Sequence, residues 1–181
     1  VERVNPENPL LYEVNGSWRE MSVRHETIRV RGAEPVVLRV RETRHGPIVT
    51  DSGSNKDQSG FSFVPPAGVE SAGELVPPGS MTLTELSLRW TALEPNRTFQ
   101  AVLELNRAST FQEFRDAASL FDIPSQNLVY ADTEGNIGYQ LPGRIPIRRN
   151  HDGRIPVPGW NDDYEWDGFI PFEELPWVLN P

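Results

Sequence analysis

The sequence predicts an α+β fold, in which a mostly antiparallel sheet carries about two packed helices. Apolar residues recur at every second position between residues 10 and 50, which is typical of strands with one buried and one solvent-exposed face. Asn15-Gly16 separates two of these runs. This pair is a strong hairpin signal, because both central positions of a type I′ turn need a positive φ.

Two helices are predicted between about Thr98 and Phe121, where the apolar period changes from that of a strand to that of a helix. A capping box lies inside this region, since the Thr110 hydroxyl can accept from a free backbone N–H and Glu113 can reach back. The residues that follow form one apolar stripe at helical spacing: Phe111, Phe114, Ala117, Ala118 and Phe121.

The remaining segments predict loops and short strands within a single domain of residues 1–181, a length that suits one domain with a core. Residues 51–80 are rich in Ser, Gly and Pro and predict a long loop or an insertion. Residues 126–141 predict a second hairpin with its turn at Asp132–Asn136. Residues 142–181, rich in Pro and Trp, predict an extended segment with little regular structure.

Composition argues against several classes of function. The net charge of -9 makes nucleic acid a poor partner, because a phosphate backbone is repelled on average. The absence of cysteine excludes a thiol nucleophile and disulfides in this chain. The sequence holds no apolar run long enough to predict a membrane span. The chain begins with Val1 rather than Met, which we interpret as a cut inside a longer protein.

Residue spacing by itself indicates no reaction. His25, His45 and His151 lack partners at metal-ligand spacing, so we interpret them as surface or turn histidines. Four acids lie close together in the C-terminal segment: Asp162, Asp163, Glu165 and Asp167. Such a run could gather Ca²⁺ through oxygen ligands, but a solvated acidic turn is the more common structure.

Several short motifs follow one another along the chain. They are Thr43-Arg44-His45-Gly46-Pro47-Ile48, Leu88-Arg89-Trp90-Thr91-Ala92, Leu105-Asn106-Arg107-Ala108, Ser125-Gln126-Asn127-Leu128-Val129-Tyr130-Ala131-Asp132, Gly135-Asn136-Ile137-Gly138-Tyr139, Gly143-Arg144-Ile145-Pro146, Pro156-Val157-Pro158-Gly159-Trp160 and Ile170-Pro171-Phe172-Glu173-Glu174-Leu175-Pro176. In order and spacing they resemble the penicillin acylase family of N-terminal-nucleophile hydrolases. The resemblance implies an internal part of the β-chain and a fragment of the layered αββα fold.

The resemblance also implies that the reactive groups lie outside this chain. In the family, the β-chain begins with a serine whose hydroxyl attacks an amide carbonyl while its own α-amine acts as the base. A backbone N–H and an asparagine side chain form the oxyanion hole. The serine and that N–H belong upstream of Val1, and the asparagine belongs after Pro181. No catalytic residue is therefore assigned within the chain, and Asn127 does not match the asparagine motif.

Three positions match binding positions of the family. Trp90 falls where a tryptophan lines the acyl pocket, although a core aromatic at a strand end is an equally common structure. Gln126 falls where a mostly apolar side chain lines the same pocket, and its polarity indicates a more polar pocket or a changed role. Gly153 matches a position whose main-chain carbonyl helps to bind Ca²⁺ in some members. Because calcium needs about six oxygens, we expect no cofactor in this chain alone and calcium only in the full-length protein.

Two functions remain open on this basis. The first is a fragment, itself inactive, of an amidohydrolase that cleaves the linear amide of a penicillin, a cephalosporin or an acyl-homoserine lactone. The second is a non-catalytic binding or interaction module on the same scaffold. The resemblance implies the rest of the β-chain, the α-chain and a small acylated amide as partners, in a periplasmic or secreted enzyme. Exposed apolar surface on the fragment further predicts a homodimer or poor solubility.

Overall fold

The structure is a computed structural model that describes residues 1–50 and 83–181. These residues form two compact units, of which the first is Val1–Arg89 with Asn150–Glu165 and the second is Trp90–Arg149 with Trp166–Pro181. The predicted loop at residues 51–80 lies outside the described residues, and the single domain of residues 1–181 stays a prediction. Every described strand pair is antiparallel, and two α-helices accompany the strands, so the α+β class is confirmed.

The first unit contains a four-stranded sheet in the order β3-β2-β1-β7. Its strands are β1 (Glu2–Val4), β2 (Leu11–Val14), β3 (Ser17–Glu20) and β7 (Leu83–Glu85). Val4, Tyr12, Val14 and Met21 form its buried apolar cluster, against which Ile48 packs. The central strand β1 was not predicted, because three residues are too few to show a period.

The turn between β2 and β3 confirms the predicted hairpin. Asn15 has a φ of 49° and Gly16 a φ of 75°, so both central positions are left-handed. Val14 then pairs with Ser17 across the turn. The sequence predicted this turn correctly because its signal lies entirely within the two residues that adopt the unusual backbone conformation.

A second sheet of the first unit has the order β4-β5-β6, with β4 (Ser22–Ile28), β5 (Val36–Thr43) and β6 (Gly46–Pro47). The prediction of one buried face is wrong for this part of the chain, because all seven residues of β4 are exposed. Alternation in the sequence reports which residues share a face of a strand. It does not supply the layer that covers the face, and no described residue covers either side of β4.

The second unit contains the helices α1 (Thr98–Leu105) and α2 (Phe111–Ala118), close to the predicted positions. Beside them lie a three-stranded sheet in the order β12-β9-β8 and a two-stranded sheet of β10 and β11. The strands are β8 (Leu128–Ala131), β9 (Ile137–Gln140), β10 (Pro146–Arg148), β11 (Trp166–Phe169) and β12 (Trp177–Leu179). Ala131 pairs with Ile137, which confirms the second predicted hairpin.

Helix α2 begins as its sequence predicts. Thr110 Oγ1 accepts a hydrogen bond of 3.2 Å from the Glu113 N–H. The Glu113 carboxylate accepts one of 2.7 Å from the Ser109 N–H, one residue earlier than in a standard capping box. The Phe111 ring then packs on Tyr130 of β8, with ring centroids 5.4 Å apart. The cap and this aromatic contact together anchor the helix to its sheet.

Three short strands cross the segment of residues 142–181, for which the sequence predicted little regular structure. Pro146 pairs with Phe169, and Trp177 pairs with Gln140. These pairings join residues far apart in the chain, so no local hairpin signal predicts them. Within the described parts of the chain, no helix has the length and apolar character needed to cross a membrane.

Candidate functional site

Glu2, in the central strand β1, lies at the middle of a buried polar network in the first unit. Its side chain is 0 % exposed. Glu2 Oε1 accepts from Thr43 Oγ1 at 2.9 Å and from Ser87 Oγ at 2.6 Å, and lies 2.7 Å from His45 Nδ1. The other oxygen, Oε2, has no hydrogen-bond partner among the described residues. A carboxylate buried this deeply needs its neighbours to balance its charge.

His45 joins Glu2 to a second carboxylate, that of Glu165. The His45 Nε2 atom lies 2.7 Å from Glu165 Oε1, and its side chain is 11 % exposed. Ionised carboxylates only accept, so both ring nitrogens must carry hydrogen for both contacts to be hydrogen bonds. His45 does lie in a turn, as predicted, but the sequence did not indicate that its ring bridges two acids.

Arg44 ties the acidic segment to the same network. Its guanidinium donates to Asp162 Oδ1 at 2.7 Å and to the Gly159 carbonyl at 3.0 Å. It also lies 3.1 Å from Glu165 Oε1, and Arg89 contacts the other oxygen of that carboxylate. Asp162 and Glu165 are thus ion-paired, which differs from the solvated acidic turn that the sequence indicated. The difference arises because the cations come from distant parts of the chain.

The network lowers the pKa of both carboxylates. Burial raises the pKa of Glu2, but hydrogen bonds from His45, Ser87 and Thr43, with the charge of His45, outweigh it and bring the pKa to about 2. Burial also raises the pKa of Glu165, but hydrogen bonds from His45 and Arg89 reverse this and lower it below its ordinary value. Both groups are therefore ionised at neutral pH.

This arrangement favours charge pairing over nucleophilic catalysis. Ser87 donates its hydroxyl proton directly to Glu2, and a carboxylate whose pKa is about 2 is a very weak base. None of the described contacts joins Ser87 to His45, as activation of a serine by a histidine would require. Because Glu2 is fully buried, a substrate carbonyl has no access to it. The network thus holds the first unit together.

A second buried ion pair joins β5 to β7. Arg41 lies 2.7 Å from Glu85 Oε2, and their side chains are 2 % and 1 % exposed. Arg41 also donates to the Pro9 carbonyl at 2.8 Å. The pair connects the two sheets of the first unit at the point where β5, after its exposed first half, enters the interior.

The two predicted pocket residues both lie in the second unit. Trp90 immediately precedes the 3-10 turn Thr91–Leu93 and has an extended backbone. Among the described residues its side chain is 54 % exposed. This exposure does not fit the alternative of a buried core aromatic. Gln126 is exposed in the loop before β8, and its side chain makes no hydrogen bond among the described residues. Their assignment to an acyl pocket stays a prediction.

A separate cleft of about 250 Å³ lies in the second unit. Apolar side chains such as Phe121 and Phe169 line it, and Arg144 lies at its side. The Arg144 guanidinium stacks 4.3 Å from the Phe169 ring centroid and pairs with Glu94 at 2.8 Å. The described lining includes neither predicted pocket residue. The described lining therefore does not assign the cleft to the predicted acyl pocket.

Gly153, the predicted calcium-binding position, is exposed and has a φ of 82°. The neighbouring Asp152 carboxylate is occupied by Arg154, whose backbone N–H donates at 3.0 Å and whose guanidinium lies 3.2 Å away. Among the described residues, no three His, Cys, Asp or Glu side chains are grouped to hold a metal ion. These residues do not form a calcium site by themselves, and the role of Gly153 stays a prediction.

Comparison with known proteins connects this chain to acylases. Residues 1–181 match the family model described as penicillin amidase. The chain is 33 % identical over 162 residues to the acyl-homoserine lactone acylase QuiP of Pseudomonas fluorescens, covering 90 % of this chain and 17 % of that protein. It is 32 % identical over 181 residues to the penicillin G acylase of Escherichia coli, covering 99 % of this chain and 18 % of that protein.

The fold agrees with these sequence matches. The solved structure of a thermostable penicillin G acylase from Alcaligenes faecalis superposes with a TM-score of 0.72 at 31 % identity, covering 99 % of this chain and 28 % of that one. The chain thus spans less than a fifth of the length of both curated relatives. Because the family model matches from the first residue to the last, the chain belongs to the penicillin amidase family.

Proposed function

We propose that this chain is an internal part of the β-chain of an acylase that hydrolyses a linear amide through an N-terminal serine outside residues 1–181. The observation that carries the proposal is the family match along the whole chain, together with relatives that are named acylases. The substrate is then a small acylated amide, of which a penicillin, a cephalosporin and an acyl-homoserine lactone are the candidates.

In this proposal the chain supplies scaffold and part of a pocket wall, and the reacting atoms are held elsewhere. A serine hydroxyl needs a nearby base, and a terminal amine has a pKa close enough to neutrality to act as one. The Ser87 hydroxyl already donates to the Glu2 carboxylate, whose pKa is about 2. This engagement supports a nucleophile outside the described residues.

Trp90 and Gln126 are the proposed contacts to the acyl group. Indole rings are well buried in most folds, so a tryptophan that is 54 % exposed offers a large apolar surface to a ligand or another segment. The Gln126 amide, which has no hydrogen-bond partner among the described residues, can donate to or accept from a polar atom on the acyl chain. Together they fit an acyl group that carries both apolar and polar atoms.

The first experiment compares this 181-residue chain with the longer polypeptide that contains it, using a chromogenic acyl-anilide. We expect turnover only from the longer polypeptide, because it supplies the serine and the oxyanion hole. Turnover by the 181-residue chain would show that its own residues contain the nucleophile. A longer polypeptide that binds the anilide without cleaving it would favour the non-catalytic module instead.

The second experiment tests the pocket wall in the longer polypeptide with Trp90→Ala. Loss of one large apolar contact to the acyl group is expected to lower kcat/KM by about 10- to 100-fold, mostly through KM. The matched control is Trp18→Ala, which removes an indole that is 46 % exposed in the first unit. Equal losses in both variants would indicate general destabilisation and exclude a specific role for Trp90.

For calcium, we propose that the Gly153 carbonyl is one ligand of a site completed by the longer polypeptide. Since its φ of 82° disfavours residues other than glycine, Gly153→Ala is expected to reduce the rise in Tm that calcium produces there. An unchanged rise in Tm would show that calcium binding does not depend on the left-handed backbone of Gly153, and would contradict the proposed role.

A further inference from the structure

Within the part of the chain that the structure describes, the strand β4 of the first unit has a free edge. It lies at the end of the β4-β5-β6 sheet, and among the described residues it pairs with β5 alone. All seven of its residues are exposed. An exposed edge strand presents unpaired backbone N–H and C=O groups and is a template for pairing with another strand.

Two opposite charges lie on either side of one residue, His25, on this edge. Arg24 and Glu26 flank His25, and both project from the same face of the strand because they are two residues apart. If a second copy of β4 pairs antiparallel about a twofold axis through His25, Arg24 of each copy lies opposite Glu26 of the other. Opposite charges in directly facing positions stabilise an antiparallel pair.

The same charges disfavour the neighbouring registers. A twofold axis through position 24 would place Arg24 opposite Arg24 of the second copy. An axis through position 26 would place Glu26 opposite Glu26. Like charges in directly facing positions destabilise a strand pair, and a shift by one residue would put facing side chains on different faces. The register centred on His25 is therefore the favoured one.

Apolar side chains lie beside this charged centre. Ile28 and Val36 face each other across β4 and β5, and they are 47 % and 39 % exposed. Leu38 lies on the same face, opposite Glu26, and is 44 % exposed. Joining two copies would extend this face into one continuous sheet and bring the apolar residues of both hairpins onto it. A face of this kind is typical of surfaces that associate.

We propose that two copies of this chain form a twofold-symmetric dimer by antiparallel pairing of their β4 strands, centred on His25. The occupant of the free edge is thus β4 of a second copy. The charge complementarity of Arg24 with Glu26 selects this occupant and sets its register. The dimer concerns a surface in the first unit and is independent of the acylase function proposed above.

The absence of cysteine permits a direct test of the register. In His25→Cys, the new thiols of the two copies face each other across the axis, at a Cα separation of about 4.5–5.5 Å that allows a disulfide. Mild oxidation is expected to link most of this variant into dimers. Two controls place the cysteine elsewhere: Ser22→Cys, which faces Ile28 of the second copy, and Arg19→Cys on β3. Equal linkage in all three variants would overturn the proposed register.

A charge exchange tests what holds the dimer together. Arg24→Glu places like charges opposite each other twice. Sedimentation equilibrium is therefore expected to give a dimer Kd about tenfold higher than that of the wild type. Arg24→Glu combined with Glu26→Arg restores opposite charges across the axis and is expected to return Kd to within about threefold of the wild type.

Two further measurements keep this test specific. Arg24 pairs with Glu42 of its own chain at 3.1 Å, a contact that is lost in the single and the double variant alike. It also pairs with Glu26 of its own strand, a contact that the double variant restores, so recovery of Kd must coincide with the His25→Cys linkage, which leaves both charges in place. Arg19→Glu makes the same charge change away from β4 and is expected to leave Kd unchanged. Circular dichroism checks that each variant keeps its secondary structure. A wild-type chain that remains monomeric at millimolar concentration, or a double variant as weak as the single one, would overturn the proposal.

Discussion

Substitution of the buried carboxylate in β1 gives the sharpest test of how the first unit is stabilised. In Glu2→Gln the isosteric amide keeps the volume of the side chain but removes the charge that His45 faces at 2.7 Å. A pKa lowered from 4.5 to about 2 corresponds to about 3 kcal/mol of preference for the ionised form in the folded state. We therefore expect the free energy of unfolding at pH 7 to fall by about 3 kcal/mol in this variant.

The dependence on pH follows from the direction of the shift. Because the pKa of Glu2 is lower in the folded state, its contribution is complete above the unfolded value of 4.5 and is lost as the pH falls towards 2. The difference in unfolding free energy between wild type and Glu2→Gln should shrink to about 1 kcal/mol at pH 3 and nearly vanish below pH 2.

Urea unfolding followed by circular dichroism at pH 7, 4.5, 3 and 2 measures this difference. The control is Glu20→Gln, an exposed carboxylate of β3 whose loss is expected to change stability by less than about 0.5 kcal/mol. Two results would refute the reasoning. One is a Glu2→Gln variant that loses no more stability than the control, and the other is a difference that stays constant between pH 4.5 and 2.

Two other substitutions probe packing within each unit, one in the first unit and one in the second. Arg41→Met leaves Glu85 buried without its arginine and is expected to destabilise the chain by about 3–5 kcal/mol, whereas Arg41→Met combined with Glu85→Met should recover most of this in urea unfolding. A single variant as stable as the double one would contradict the buried pair. Gly138→Ala would place a Cβ 2.5 Å from the Phe111 ring, so thermal unfolding should show a loss of about 1–3 kcal/mol. Adding Phe111→Leu should relieve part of it, and no relief would show that the clash lies elsewhere.

The sequence predicted those parts of the fold whose signals are local. Asn15-Gly16 determines its own turn because the two residues that need positive φ are adjacent. The cap of α2 depends on Thr110 and Glu113, three residues apart. Such signals act within one turn or one strand, so they are readable before any tertiary contact is known.

The candidate site could be predicted only in part. The motifs that resemble the family indicated Trp90, Gln126 and Gly153, but they could not show that all three residues are exposed. They also could not show that His45 would meet Glu165, because those residues are 120 positions apart. A signal was present, since His45 lies within one of the matching motifs, but spacing does not reveal a partner on a distant segment.

By itself, the sequence determined the α+β class, the local turns and caps, and the family to which the chain belongs. Only the tertiary structure decided which charged side chains are buried and which residues they pair with. Glu2 is buried in a central strand too short to predict, and its charge is balanced by residues from distant segments. It also decided that β4 would have two exposed faces and, among the described residues, a free edge. The physical reason is that backbone preferences act between neighbours in sequence, whereas burial and charge pairing depend on which distant segments meet.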